Sequence, residues 1–222
     1  MLTAFVTSLA VLAAPAVDKW DIKPSFATKT ITAWNVTIDA HVQSQDHHAK
    51  FRFEKTISSA DAKSAKAKIA WKDLEVDDNP NDVPGDFEVT MGTRGEILTS
   101  ESTEFGDDLR RMLSVFAFVY PEKAIDVGDK WTFEMIPAKA DKRIMTSSYE
   151  VVGTEKLKGV DALKISAKLE EKGENGMSSK GFFWISKEGR PLKYELDVKN
   201  WVVPMAGSEP VEAKIKGEAA EK

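Results

Sequence analysis

Residues 32–57 read TAWNVTIDAHVQSQDHHAKFRFEKTI, and apolar and polar side chains alternate through both halves of this stretch. In the first half every second residue from Trp34 to Val42 is apolar. In the second half the apolar positions are Ala49, Phe51, Phe53 and Ile57. A period of two is typical of strands that bury one face and expose the other to water. The stretch therefore predicts a long antiparallel hairpin with a polar turn at residues 43–46.

The same alternation extends over most of the chain and predicts a mainly β protein. Further strands are predicted at residues 65–76, 87–91, 96–99, 131–136, 143–152, 162–170, 181–186, 191–203 and 211–215. Strands precede and follow a single predicted helix. This order favours an α+β fold in which a curved antiparallel sheet, or half-barrel, of about eight to ten strands wraps around a central helix.

The one predicted helix covers residues 107–120. Its apolar residues recur at helical spacing on one face, and they are Leu109, Met112, Leu113, Phe116, Val119 and Tyr120. Val115 and Phe118 widen the apolar surface beyond a single stripe. A helix of this kind must be covered on more than one side, so we expect it to lie in the concavity of the sheet with Leu113 and Phe116 buried.

Residues 1–16 are predicted to form a secretory signal peptide. They contain no charged side chain, and their apolar run ends in the small-x-small sequence Ala14-Pro15-Ala16. Charged residues follow almost immediately. The pattern predicts export to the periplasm or the cell exterior, with a mature chain that begins near Val17.

The mature chain is expected to form one β-rich domain over residues 17–216, with a disordered tail at 217–222. The net charge of -5 argues against a nucleic-acid partner. No second apolar segment is long enough to span a bilayer. The chain has no cysteine, which excludes thiolate metal sites and cysteine nucleophiles. No cofactor motif is present, and the oligomeric state is open.

Three histidines lie close together in the predicted hairpin, namely His41, His47 and His48. His41 and His48 would project from the same polar face, with Asp39 nearby. Two imidazoles and a carboxylate suit zinc or copper, although no helical His-x-x-x-His spacing supports such a site. An exported hydrolase or metal-dependent enzyme that uses this hairpin is therefore the alternative function, and a wet loop without bound metal is the simpler interpretation.

The preferred function is that of a non-catalytic binding protein. The sequence contains no G-x-S-x-G elbow, S-x-x-K motif or phosphate-binding glycine loop. The surplus apolar surface of the predicted helix favours a cleft between sheet and helix that holds a lipid, an acyl chain or a hydrophobic segment of a partner. A fully packed interior is the competing interpretation. The candidate ligand-binding residues are Met112, Val115, Phe116, Phe118 and Val119.

Two stretches carry a resemblance to known proteins, residues 121–131 (PEKAIDVGDKW) and residues 181–193 (GFFWISKEGRPLK). With the preceding helix, they resemble secreted bacterial proteins of uncharacterised families and, more remotely, lipoprotein-carrier (LolA/LolB-like) half-barrels. The resemblance implies a curved sheet around an apolar cavity and, by analogy, handling of lipids or lipoproteins. The W-I-S-x-x-G-x-P-L pattern of the second stretch marks a strand–turn–strand and carries no catalytic residue.

Export can be tested directly. N-terminal sequencing of protein recovered outside the cytoplasm is expected to begin at or close to Val17, because cleavage should follow the small residues at 14–16. An intact Met1 on soluble cytoplasmic protein would contradict this prediction.

Overall fold

The computed structural model describes residues 19–82, 85–101, 106–135, 143–204 and 209–220. The predicted signal peptide at residues 1–16 lies outside the described residues. The elements of the described chain are β1 (Ile31–Val42), β2 (Gln45–Ala60), β3 (Ser64–Val76), β4 (Asn79–Pro80), β5 (Phe87–Gly92), β6 (Ile97–Glu101), α1 (Gly106–Ser114), β7 (Lys130–Met135), β8 (Met145–Leu157), β9 (Val160–Glu171), β10 (Ser178–Ser186), β11 (Pro191–Trp201) and β12 (Val211–Ala219).

All these strands belong to one curved antiparallel sheet in the order β6-β5-β3-β2-β1-β12-β11-β10-β9-β8-β7, with β4 paired to β3. Strands β1 to β6 form one half of the sheet, which runs from the middle at β1 to one edge at β6. The chain then crosses the concave face through α1. Strands β7 to β12 form the other half, which runs from the opposite edge at β7 back to the middle at β12. Buried side chains of both halves and of α1 form one continuous core. The predicted fold class, a mainly β protein with a curved antiparallel sheet around one helix, is confirmed.

The last strand, β12, joins the two halves because it lies between β1 and β11. It continues to Ala219, so the predicted tail begins too early. Gly217 pairs with Val36 on one side and with Tyr194 on the other. The Tyr194 ring occupies the space where a side chain at position 217 would stand. Ladder hydrogen bonds on both sides therefore order residues that the sequence alone predicts to be a polar tail.

The helix ends at Ser114 and not at Tyr120, so the predicted helix over 107–120 is wrong in its second half. Phe116 and Ala117 donate backbone hydrogen bonds to residues three positions earlier, which closes the helix in a tight turn. Residues 115–120, here named the crossing segment, then pass over the concave face without helix or strand structure.

A buried ion pair fastens the helix to the second half of the sheet. Nε and Nη2 of Arg111 donate to the two carboxylate oxygens of Glu171 at 2.8 and 2.6 Å. The backbone N–H of Met177 donates to the same carboxylate at 3.0 Å. Glu171 lies at the end of β9, and its side chain is 1% exposed. Removal of one partner from such a pair typically costs about 3–5 kcal/mol, because the other charge stays buried.

Among the described residues, no helix is both long enough and apolar enough to cross a membrane. The helix α1 has nine residues.

The turn between β10 and β11 docks onto two other parts of the chain. The Tyr120 hydroxyl donates to the Gly189 carbonyl at 2.6 Å. Gly189 has φ +78°, and a Cβ atom there would overlap the backbone carbonyl of Lys23. The turn predicted from the W-I-S-x-x-G-x-P-L pattern therefore holds both the N-terminal segment and the end of the crossing segment.

The close approach at Gly189 predicts a large cost for Gly189→Ala. Gly159 is a matched control, because it has φ +85° and no atom lies within 4 Å of the position that a Cβ would take there. Both alanine variants carry backbone strain of about 1–3 kcal/mol. Overlap with Lys23 should lower the free energy of unfolding of Gly189→Ala by about a further 1–3 kcal/mol. Urea denaturation measures the difference, and equal losses in the two variants would show that the turn is not packed as described.

Candidate functional site

A pocket of about 340 Å³ lies between the concave face of the sheet, the end of α1 and the crossing segment. Its volume is at the lower end of the range of about 300–1,000 Å³ that is usual for small-molecule sites. Buried side chains from both halves of the sheet, from α1 and from the crossing segment line the interior, among them Trp34, Phe53, Ile57, Ile69, Val89, Ile97, Leu113, Phe118 and Phe183.

The mouth of the pocket is polar. The exposed residues that line it come from the segment before β1, with Ser25 and Thr30, and from the turn before β11, with Glu188 and Arg190. Glu188 accepts a hydrogen bond from the Ser186 hydroxyl at 2.8 Å, and this bond lowers the pKa of its carboxyl group. A polar rim around an apolar interior is the arrangement that accommodates an amphiphilic molecule.

Two of the five predicted ligand-binding residues line this pocket, and three do not. Phe116 and Phe118 contribute to its wall. Met112, Val115 and Val119 are almost fully buried elsewhere in the core. Met112 lies within α1 and packs into the core. Val115 and Val119 follow the end of the helix at Ser114, so a helical face extended beyond that residue groups side chains that the actual backbone separates.

Phe116 is partly exposed, so the prediction that it is buried at the centre of a helix face is wrong. Its ring lies 5.9 Å from each of the rings of Phe53, Tyr194 and Trp201, measured between centroids. Leu113 is buried as predicted. Phe116 thus stands between the two halves of the sheet with part of its surface open to the pocket.

Phe118 forms a fixed wall of the pocket. Its ring packs against the rings of Tyr120, Tyr149 and Phe183, with centroid distances of 4.8, 5.2 and 5.4 Å. Only 5% of Phe118 is exposed. A polar substitution at Phe118 would therefore disrupt the core, whereas Phe116 offers a position where the pocket can be changed with less damage.

Lys55 interrupts the apolar inner face of β2. Phe53 and Ile57 flank it on that face, and its ladder neighbours are Thr32 in β1 and Ile69 in β3. The sequence contains this signal, because position 55 falls on the apolar register that runs through 51, 53 and 57. The prediction from sequence rests only on the apolar residues at these positions and therefore does not single out Lys55.

Lys55 is partly exposed and lines the pocket. Across the described ranges it has neither an ion pair nor a hydrogen bond. Its Nζ lies 5.7 Å from the ring centroid of Trp34, and the buried indole N–H of Trp34 also has no acceptor within the described chain. Burial lowers the pKa of Lys55 to about 8, because the charged form loses its hydration in the apolar pocket.

A buried tyrosine forms a further part of the pocket wall. Tyr194 lines the pocket, and its ring centroid lies 5.9 Å from that of Phe183. Burial raises the pKa of Tyr194, which keeps its hydroxyl protonated. In the part of the chain that the structure describes, this hydroxyl forms no hydrogen bond, and it lies over Gly217 of β12.

The three histidines lie in the β1–β2 hairpin, and each pairs with a different carboxylate. Nδ1 of His41 is 2.8 Å from Asp46, and Nδ1 of His48 is 2.7 Å from Asp39. Nδ1 of His47 is 2.8 Å from Asp77. His47 lies opposite Ala40 in the ladder, so it belongs to the other face from His41 and His48. No group of three or more potential metal ligands occurs within the described ranges.

Comparisons with known proteins return two similar solved structures, while no family model and no curated protein matches the chain. One is the hypothetical lipoprotein YmcC from Escherichia coli (K12), with 13% identity, a TM-score of 0.38, and coverage of 87% of this chain and 89% of that chain. The other, from Bacteroides fragilis NCTC 9343, is described as exported with a YmcC-like fold. Its identity is 10%, its TM-score 0.42, and the coverage 92% of this chain and 100% of that chain. The resemblance to lipoprotein-carrier half-barrels stays a prediction.

The environment of Lys55 predicts that this residue reduces stability. Lys55→Met is expected to raise the free energy of unfolding at pH 7 by about 1–2 kcal/mol, less than the full pKa shift represents because part of the side chain contacts solvent. The unfolded chain keeps its proton up to the ordinary pKa of 10.5, whereas the folded protein loses it near 8. Wild-type stability should therefore rise with pH between these values, and the advantage of the variant should shrink.

Denaturant titrations between pH 7 and 10 measure this effect. Lys72→Met is the matched control, because Lys72 is exposed on the opposite face of the sheet from its buried neighbour Trp71. The control should change stability by less than about 0.5 kcal/mol. A lower stability of Lys55→Met than of the wild-type protein at pH 7, where Lys55 is mostly charged, would mean that the ammonium group stabilises the fold.

Proposed function

We propose that this protein is an exported, non-catalytic binding protein that holds a lipid, an acyl chain or a hydrophobic segment of a partner in the pocket. The observation that carries the proposal is an apolar cavity of about 340 Å³ with a polar mouth. Native interiors are close-packed, and a space of this size is far larger than ordinary packing defects. Binding an apolar ligand is the function that such a cavity supports best.

The packing of the pocket walls also supports the proposal, because the side chains that form them belong to the sheet and to a crossing segment that is packed against it. The sheet supplies Phe53, Ile69 and Phe183, whereas the crossing segment supplies Phe116 and Phe118. Aromatic contacts lock Phe118 in place, and a preformed wall lowers the entropy cost of binding. A ligand would therefore enter a cavity that is largely present beforehand.

The exported location of the proposal rests on the sequence of residues 1–16, which predicts delivery to the periplasm or the cell exterior. The alternative function, an exported hydrolase or metal-dependent enzyme at His41 and His48, stays a prediction from sequence. Their exposed His–Asp pairs lie outside the residues that line the pocket.

A fluorescent fatty-acid probe tests the proposed function. The wild-type protein is expected to bind the probe with an increase in fluorescence. Phe116→Glu should weaken binding by roughly tenfold or more, because it places a charge in the wall of the apolar pocket. Val127→Glu is the matched control, since Val127 is 54% exposed and does not line the pocket.

Circular dichroism must show that both variants remain folded. If the wild-type protein binds no apolar probe, the proposed function is wrong. Equal weakening in Phe116→Glu and Val127→Glu would show that the probe binds elsewhere on the surface.

A further inference from the structure

Lys55 is the one cation that stands inside the apolar part of the pocket among its described lining residues. Its neighbours on the inner face of the sheet are Thr32, Phe53 and Ile69, none of which carries a charge. An ammonium group in such surroundings is unfavourable unless a partner compensates it. Within the described chain no carboxylate does so.

We propose that the ligand of this pocket is a single-chain amphiphile with a carboxylate head group, which pairs with the Nζ of Lys55. The inference rests on the proposed function and adds the chemical class of the ligand. The charge on Lys55 is complementary to a carboxylate, and the apolar interior is complementary to an alkyl chain. A neutral lipid would satisfy the second requirement but leave Lys55 without a counter-ion.

The size of the pocket favours one chain over two. A volume of about 340 Å³ lies near the lower limit for small-molecule sites, so we expect it to hold one alkyl chain and its head group. One lining residue beside Lys55 can donate a further hydrogen bond to a carboxylate, because Thr32 lies opposite Lys55 in the ladder.

Two other charged residues line the pocket, and both lie at its mouth. Glu188 and Arg190 are exposed to solvent. A carboxylate at Arg190 would remain in water, where an ion pair contributes little to affinity. A carboxylate at Lys55 would lie in a less polar environment, where the attraction between opposite charges is stronger. Lys55 is therefore the better anchor for the head group.

Competition between matched ligands tests this inference. Dodecanoate and dodecanol share the same alkyl chain, and each would displace a fluorescent fatty-acid probe from the purified protein at about pH 7. Dodecanoate is expected to bind the wild-type protein roughly tenfold or more tightly than dodecanol, since a charged pair adds to the shared apolar contact.

Substitutions then locate the head group. In Lys55→Met the preference for dodecanoate should fall to within about twofold, while dodecanol should bind as well as before or better. Lys72→Met, on the outer face of the sheet, should keep the full preference. Arg190→Met should keep most of it, and loss of the preference in Arg190→Met in place of Lys55→Met would put the head group at the mouth and overturn the inference.

Chemical labelling gives an independent readout on the wild-type protein. Dodecanoate should slow the acetylation of Lys55 by acetic anhydride, measured by mass spectrometry, several-fold more than dodecanol does at equal occupancy. If dodecanol and dodecanoate bind the wild-type protein equally and protect Lys55 equally, the carboxylate inference is wrong while the proposed function stands. If neither ligand binds, the proposed function itself fails.

Discussion

The structure depends on one requirement, which is that a chain segment buried against the concave face must find partners for its backbone hydrogen-bonding groups. Val119 donates its N–H to the Tyr149 hydroxyl at 3.1 Å, and its carbonyl accepts from the Trp131 indole at 2.9 Å. The backbone N–H of Tyr120 donates to the Arg94 carbonyl at 2.9 Å, and Nε of Arg94 donates to the Tyr120 carbonyl at 2.7 Å. These partners come from β7, from β8 and from the turn between β5 and β6, and they satisfy the backbone groups of Val119 and Tyr120 after the helix has ended.

The pocket follows from the same feature. A helix with its side chains is about 10–12 Å across, so a helix continued to Tyr120 would occupy much of the concavity. The irregular chain after Ser114 takes up less width and leaves Phe116 partly exposed. The space beside it is the cavity of about 340 Å³. Fold and candidate site are therefore linked through the point at which the helix ends.

Lys55 shows where stability and the proposed function conflict. An apolar residue at that position would complete the inner face of β2 and would avoid the cost of an unpaired charge. A residue that breaks the local pattern without a compensating partner is the kind of exception found at functional sites. Burial in the apolar pocket lowers the pKa of Lys55 to about 8, because the charged form loses hydration there. A negatively charged ligand would relieve this conflict.

The sequence alone determined the strands, because the alternation of side chains between two faces is a property of each strand by itself. It also determined that residues 107–113 form a helix with Leu113 buried. The tertiary structure decided where the helix ends, since the groups that replace its hydrogen bonds come from Tyr149, Trp131 and Arg94, far away in the chain. It likewise decided that β12 runs to Ala219, because the two neighbouring strands satisfy its backbone. Which of the candidate side chains after Ser114 face the pocket depends on where the helix ends, so it could not follow from local spacing.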